Sequence, residues 1–163
     1  IIAKAVLSAP RIYIFAKGES YLAGCIFRNN LLKLDRHVTM ADDGGLQTLH
    51  VKNGRPGDLF LFLSYSGIHY DYSKYAAALS ERGIKPCLIT AFSDSALARQ
   101  CDTVLLIPKS ERVIGKVANY SSMISLTYTL QVIYSLIFNQ DYQENYRVKH
   151  EADSFIFTSF AEI

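Results

Sequence analysis

Serines, a lysine and a histidine gather in two short segments of this chain, Ala16-Lys17-Gly18-Glu19-Ser20 and Ser64-Tyr65-Ser66-Gly67-Ile68-His69. Each follows an apolar run and precedes a stretch of helical spacing, the pattern of a strand handing over to a helix. Hydroxyls at Ser20, Ser64 and Ser66, joined by backbone amides that a helix start leaves unpaired, make a cradle for an anion. Phosphate is the natural occupant, because its oxygens accept several hydrogen bonds at once and a helix amino terminus favours negative charge. Lys17 adds a point charge nearby. His69 donates a hydrogen bond as a neutral ring and pairs with an anion when protonated. Gly18, Tyr65 and Gly67 belong to the same two turns. Read conservatively, the same serines are ordinary caps and turn residues, and each segment taken alone leaves that choice open.

The two segments meet only if their strands are neighbours. Short apolar runs bounded by turn residues predict five strands, over Arg11–Ala16, His37–Ala41, Asp58–Leu63, Lys85–Thr90 and Thr103–Ile107. Between them the spacing predicts a helix capped by Ser20 and running to Leu32, then helices over Gly45–Lys52, Asp71–Arg82 and Ser95–Gln100. A long helix follows over Gly115–Asn139. Strands alternating with helices over short connections predict an α/β fold with a parallel sheet and right-handed crossovers. The expected architecture is a flavodoxin-like three-layer αβα sandwich whose five-stranded parallel sheet has the order 2-1-3-4-5. That order makes strands 1 and 3 adjacent and brings both loops to one crevice at the carboxyl edge of the sheet.

The long helix carries Val117, Tyr120, Ile124, Tyr128, Leu130, Ile133, Leu136 and Ile137 around more than half its circumference. A helix of that kind is buried on two sides. The second side is covered either by another subunit, giving a homodimer or higher homo-oligomer, or by the tail. Residues 141–163 are expected to be a less regular tail, with Phe155, Phe157 and Phe160 packing on the domain or on a partner subunit. Residues 1–140 are expected to form a single domain.

Composition closes several other routes. Seventeen basic and fifteen acidic residues leave a net charge of +2 with no dense basic block, which argues against nucleic-acid binding by this chain itself. The most apolar region, residues 117–138, is interrupted by Asn119, Ser121, Ser122, Ser125, Thr127, Thr129, Gln131 and Ser135, so no membrane span is expected. Cys25, Cys87 and Cys101 form no CxxC pair and sit in apolar segments, which fits reduced thiols and a cytoplasmic location. No cofactor or metal set is expected; Asp42-Asp43-Gly44 has two carboxylates but reads as a turn.

The run DLFLFLSYSGIHYD, followed by LITAFSDSALARQCDTVLLIP, resembles the SIS (sugar isomerase) phosphosugar-binding domain. The Asp-led strand, the S-x-S-G turn, and Ile89, Thr90, Ser95, Leu97, Ala98 and Asp102 stand at matching positions, and RIYIFAKGES is similar to the family's first strand and loop. Ala16 stands where the family has a glycine, and His69 where it has a threonine. The flanking segments most resemble the effector half of RpiR/MurR transcription regulators. The resemblance implies a phosphosugar held by Lys17, Gly18, Ser20, Ser64, Tyr65, Ser66, Gly67, His69 and Glu111, with no catalytic residue. It implies a sensor that modulates DNA binding through an attached helix-turn-helix domain. That domain is expected to be absent from this chain, which begins at Ile1. Two other readings stay open. One is an aldose–ketose phosphosugar isomerase, in which Glu111 would be the base beside a carbonyl. The other is a structural module with a vestigial pocket.

Overall fold

The computed structural model describes residues 1–161, and the side chains of residues 1–155. Five parallel strands, β1 (Ile12–Ala16), β2 (Val38–Met40), β3 (Leu59–Leu63), β4 (Cys87–Thr90) and β5 (Thr103–Leu106), form one sheet of order β2-β1-β3-β4-β5. The described residues hold six α-helices: α1 (Ile2–Ser8), α2 (Glu19–Leu32), α3 (Gly44–Asn53), α4 (Tyr70–Ser80), α5 (Tyr120–Gln140) and α6 (Tyr142–Ala161), the last packed on α5. The expected three-layer sandwich and strand order are what the chain adopts.

Side chains alternate across each strand, so the sheet has two different faces. Ile12, Ile14 and Ala16 of β1, Leu59, Leu61 and Leu63 of β3, and Cys87 and Ile89 of β4 pack with Phe27, Leu126, Leu130 and Ile133 beneath α1, α2 and α5. Tyr13, Phe15, Phe60, Phe62 and Leu88 face the other way, against Tyr72, Ala76 and Leu79 of α4. That second face is aromatic: Tyr13 and Phe60 stack with centroids 4.8 Å apart, and Phe15 meets Tyr72 edge-on at 5.9 Å. Strands covered on both sides need apolar residues at every position, hence the unbroken runs IYIFA and LFLFL.

Two contacts fix the frame. At the amino end of the central strands, the buried Asp58 carboxylate accepts from Arg11 Nε at 3.0 Å and from the Arg55 amide at 2.7 Å, pinning β1 to β3. Across the sheet, α2 lies so close at Gly24 that a Cβ there would sit 2.9 Å from Met40 Cε and 3.3 Å from Ile14 Cγ2.

Three elements differ from the sequence expectation. The long helix begins at Tyr120, after the N-cap Asn119, rather than at Gly115, which lies in the preceding connection at φ +72°. The segment Ser95–Gln100 tightens into a single 3-10 turn over Ala98–Gln100. The tail is helical, not irregular. Its Arg147 pairs with Glu144 and Glu151, and Lys149 pairs with Asp153, all at i,i+3 or i,i+4 spacing. Asn145 Nδ2 donates to the Phe138 carbonyl at 3.0 Å and ties α6 to the end of α5. Phe155 is exposed, and the side chains of Phe157 and Phe160 lie outside the described residues.

Helix α5 is two-faced. Ser122, Leu126, Leu130, Ile133 and Ile137 are buried, whereas Tyr120, Ile124, Tyr128, Val132 and Leu136, spaced every fourth residue, stay exposed with α6 in place. By length and composition α5 is also long and apolar enough to cross a membrane; here its buried face completes the core beneath the sheet.

Candidate functional site

The parallel register pairs Ala16 with Leu63, so β1 and β3 end at the same level. Their loops therefore emerge side by side. A cavity of about 390 Å³ opens there, lined by Lys17, Glu19 and Ser20 from the first loop and by Ser64, Tyr65, Ser66 and Ile68–Tyr70 from the second. Its third wall comes from the β5–α5 connection and the first turns of α5, through Val113, Lys116, Asn119, Ser122, Met123 and Leu126. A cavity of this size suits a small organic ligand.

Three helices begin at this cavity. Gly18 is the N-cap of α2, His69 of α4 and Asn119 of α5. At α2 and α4 the first-turn amides and aligned dipoles favour an anion, whereas at α5 the Glu111 carboxylate already accepts from the Ser122 amide. Ser20 lies in the first turn of α2 and is not its cap; the cap, Gly18, sits at φ +57° and ψ −136°, a conformation that only glycine adopts readily. Ser64 is buried and its Oγ accepts from the Gly67 amide at 3.1 Å, which leaves its proton free to donate. Among the described residues, the hydroxyls of Ser20 and Ser66 have no hydrogen-bond partner. Lys17 lies 3.9 Å from Asp71 and over the Tyr72 ring. Burial, followed by the neighbouring Lys17 charge, pushes the His69 pKa below its ordinary value, so the ring is neutral near pH 7.

The structure thus brings Lys17, Ser20, Ser64, Tyr65, Ser66 and His69 to one cavity, and leaves Gly18, Gly67 and Glu111 off its lining. Gly18 and Gly67 act through shape. A Cβ on Gly67 would stand 2.1 Å from Ser95 Oγ, so the S-x-S-G turn closes against the segment after β4 only with glycine there. Ala16, in place of the family's glycine, is buried in the core beneath α2 and does not constrict the cavity.

Glu111 requires a correction. The sequence reads it as a group bonding the ligand or, alternatively, a base; here its side chain lies off the cavity lining and bonds the first turn of α5, beyond the N-cap Asn119. Its carboxylate accepts from the Ser122 amide at 2.9 Å, Ser122 Oγ at 2.7 Å and Ser121 Oγ at 3.0 Å, with Lys116 Nζ at 3.6 Å. The Tyr65 hydroxyl accepts from the Glu111 amide at 2.7 Å and donates to its carbonyl at 3.0 Å, which fastens the connection to β3. These bonds, led by the Ser122 hydroxyl and then its amide, pull the Glu111 pKa down to about 2. Asp42 and Asp43 are likewise engaged, the first by the Tyr21 hydroxyl and the second as the cap of α3. Among the described residues no group of three His, Cys, Asp or Glu side chains could hold a metal ion.

Sequence reasoning missed the third wall. Lys116, Asn119, Ser122 and Met123 were assigned to an uninterrupted helix. The available signal is Gly115 with Pro108 ahead of it, turn residues that mark a connection between strand and helix.

The SIS domain family matches residues 6–137 of the chain. The chain belongs to the SIS domain family. Two glutamine–fructose-6-phosphate aminotransferases [isomerizing] are similar to this SIS domain, at 35% identity over 107 residues in Halalkalibacterium halodurans and 32% over 130 residues in Streptococcus pneumoniae. These matches cover 64% and 76% of the chain but only 17% and 21% of the relatives, so the SIS domain spans about a fifth of their length. Among solved structures, the Vibrio vulnificus NanR protein complexed with ManNAc-6P superposes with a TM-score of 0.84 at 20% identity, covering 96% of this chain and 59% of that one. The sugar isomerase domain of an RpiR transcription factor from Sphaerobacter thermophilus gives 0.79 at 23% identity, covering 94% and 83%. These likenesses show the fold.

Glu111→Gln tests the cap. A carboxylate whose pKa falls from 4.5 to about 2 on folding stabilises the fold above the unfolded value, and this contribution fades as pH drops from 4.5 towards 2. The variant should melt at lower temperature at pH 7 and lose part of the parent's decline between pH 5 and 3, followed by circular dichroism. Equal melting curves at both ends of that range would remove Glu111 from the capping role.

Proposed function

We propose that this SIS domain is the sugar-phosphate-sensing effector module of an RpiR-type transcriptional regulator. The observation that carries the reading is the convergence of Lys17, Ser20, Ser64, Ser66 and His69 on one cavity at the amino termini of α2 and α4, an arrangement suited to a phosphate dianion. The phosphate sits between the two serine loops and the sugar extends towards α5. Glu111, at the sequence position of an isomerase base, accepts three hydrogen bonds from the first turn of α5 and is acidified far below a useful basicity. The NanR and RpiR structures that share this fold over most of the chain supply the regulatory context. DNA is then contacted through a separate helix-turn-helix domain, not through these residues.

A second reading, a phosphosugar isomerase domain, is favoured by the curated relatives, whose names carry an isomerising activity. One titration separates the two. Ser66→Ala removes a hydroxyl whose bond to a charged oxygen contributes about 1.5–3 kcal/mol, so affinity for the recognised sugar phosphate should fall roughly tenfold or more by isothermal titration calorimetry. NMR of the same mixtures should show the sugar unchanged over hours. Unaltered affinity in Ser66→Ala would discard the site, and steady aldose–ketose conversion would establish the isomerase.

The sensor reading includes a homodimer built on α5. The exposed Tyr120, Ile124, Tyr128, Val132 and Leu136 form a continuous apolar stripe on the helix that also walls the cavity, so association and occupancy act on one element. Sedimentation at micromolar concentration should give a dimer or larger species, and Ile124→Asp should shift it to monomer while the melting curve stays cooperative. A monomeric parent protein would rule the stripe out as a self-association face.

A further inference from the structure

The two edges of the sheet are built differently. β2 is three residues long and is flanked by Arg36 and His37 on one side and by Asp42 and Asp43 on the other, charges that keep another strand away. β5, Thr103–Leu106, carries no charge, and its flank is apolar. Ile1 and Ile2, with Tyr128, Val132 and Leu136 of α5, border a groove of about 390 Å³ along Thr103–Leu105. In the parallel ladder the Thr103 amide donates to the Pro86 carbonyl and the Ile107 amide to the Thr90 carbonyl. The odd residues of β5 therefore bond inward, and the N–H and C=O groups of Val104 and Leu106 point away from the sheet. β5 pairs with β4 alone, so these groups form a row of donors and acceptors open to another strand.

We infer that β5 pairs antiparallel with β5 of a second copy of this chain, joining two five-stranded sheets into one across a two-fold axis at Leu105. The inference rests on the self-association proposed above and gives it a geometry. The strand is self-complementary about Leu105. Val104 exchanges both hydrogen bonds with the partner's Leu106, Leu106 does so with the partner's Val104, and Leu105 faces its own copy in the closer, non-hydrogen-bonded pair. The charges outside the strand agree with this register. With Leu105 on the axis, Asp102 stands opposite the partner's Pro108 and beside the partner's Lys109, and the same contact repeats at the other end; Asp102 and Lys109 are both exposed. Parallel pairing would instead set Asp102 against its own copy, a like charge. An unrelated extended segment would satisfy the same backbone groups but has no need of this two-fold arrangement of charge. Leu105 packs on the side of the sheet covered by α5, and Tyr128, Val132 and Leu136 belong both to the groove and to the exposed stripe. Strand edge and helix stripe thus form one continuous contact surface.

Two variants test the pairing. Leu105→Cys should form a covalent dimer under mild oxidation, because a non-hydrogen-bonded pair sets its Cα atoms about 4.5 Å apart, within disulfide reach. The parent, with Cys25, Cys87 and Cys101, and Leu22→Cys on the exposed side of α2 should not. Val104→Pro removes an N–H that bonds nothing inside the protomer, at a position where an edge strand tolerates proline. Its melting curve should stay cooperative while sedimentation shows the dimer dissociation constant raised at least about tenfold. Should the proline variant not fold, cross-linking of Leu105→Cys decides alone. A monomeric parent overturns the pairing together with the α5 stripe. A dimeric parent in which Leu105→Cys stays uncross-linked, or in which folded Val104→Pro associates as tightly as the parent, overturns the edge pairing and leaves the α5 reading standing.

Discussion

Everything at the carboxyl edge of the sheet depends on the in-register parallel pairing of β1 with β3. Ile12 aligns with Leu59 and Ala16 with Leu63, so the two strands start together and stop together. A slip of one residue would turn the aliphatic and aromatic faces of one strand inside out, placing Phe15 where Ile14 packs. The Arg11–Asp58 contact holds the register at one end and the close approach of α2 at Gly24 holds it from above. Two loops that are forty-odd residues apart in sequence are thereby presented as one surface. Neither loop alone could surround an anion.

The third wall is attached by a different device. No strand positions the β5–α5 connection. It is held where the Tyr65 hydroxyl bonds both backbone groups of Glu111 and where the Glu111 side chain caps α5. Tyr65 itself lies between the two motif serines. The serine-bearing turn and the helix with the exposed apolar stripe are therefore joined through two residues. The bonds from Ser122 and Ser121 hold the Glu111 carboxyl at a pKa of about 2, well below its ordinary value.

Much of this was legible beforehand. The five strands were visible because burial on both sides demands unbroken apolar runs, and Pro56-Gly57, Gly83 and Pro108 punctuate them. The serine loops were legible through residue type and their place after strands. What stayed hidden was tertiary in origin. The role of Glu111 depends on Ser121 and Ser122 folding back towards it, and the first turn of α5 is held by those same bonds. The tail was misread because α6 is organised by charge pairs such as Arg147 with Glu151, and a search for apolar periodicity passes over them. Lys116 and Asn119 were lost with the misplaced helix start.

The contact between Gly67 and Ser95 has a consequence for the turn that carries the serines. A side chain at 67 would collide with the one at 95, and the Leu97 amide already reaches back to the Gly67 carbonyl. Position 67 is therefore held to glycine by its neighbour across the turn, so the shape of the S-x-S-G turn is set from the segment after β4.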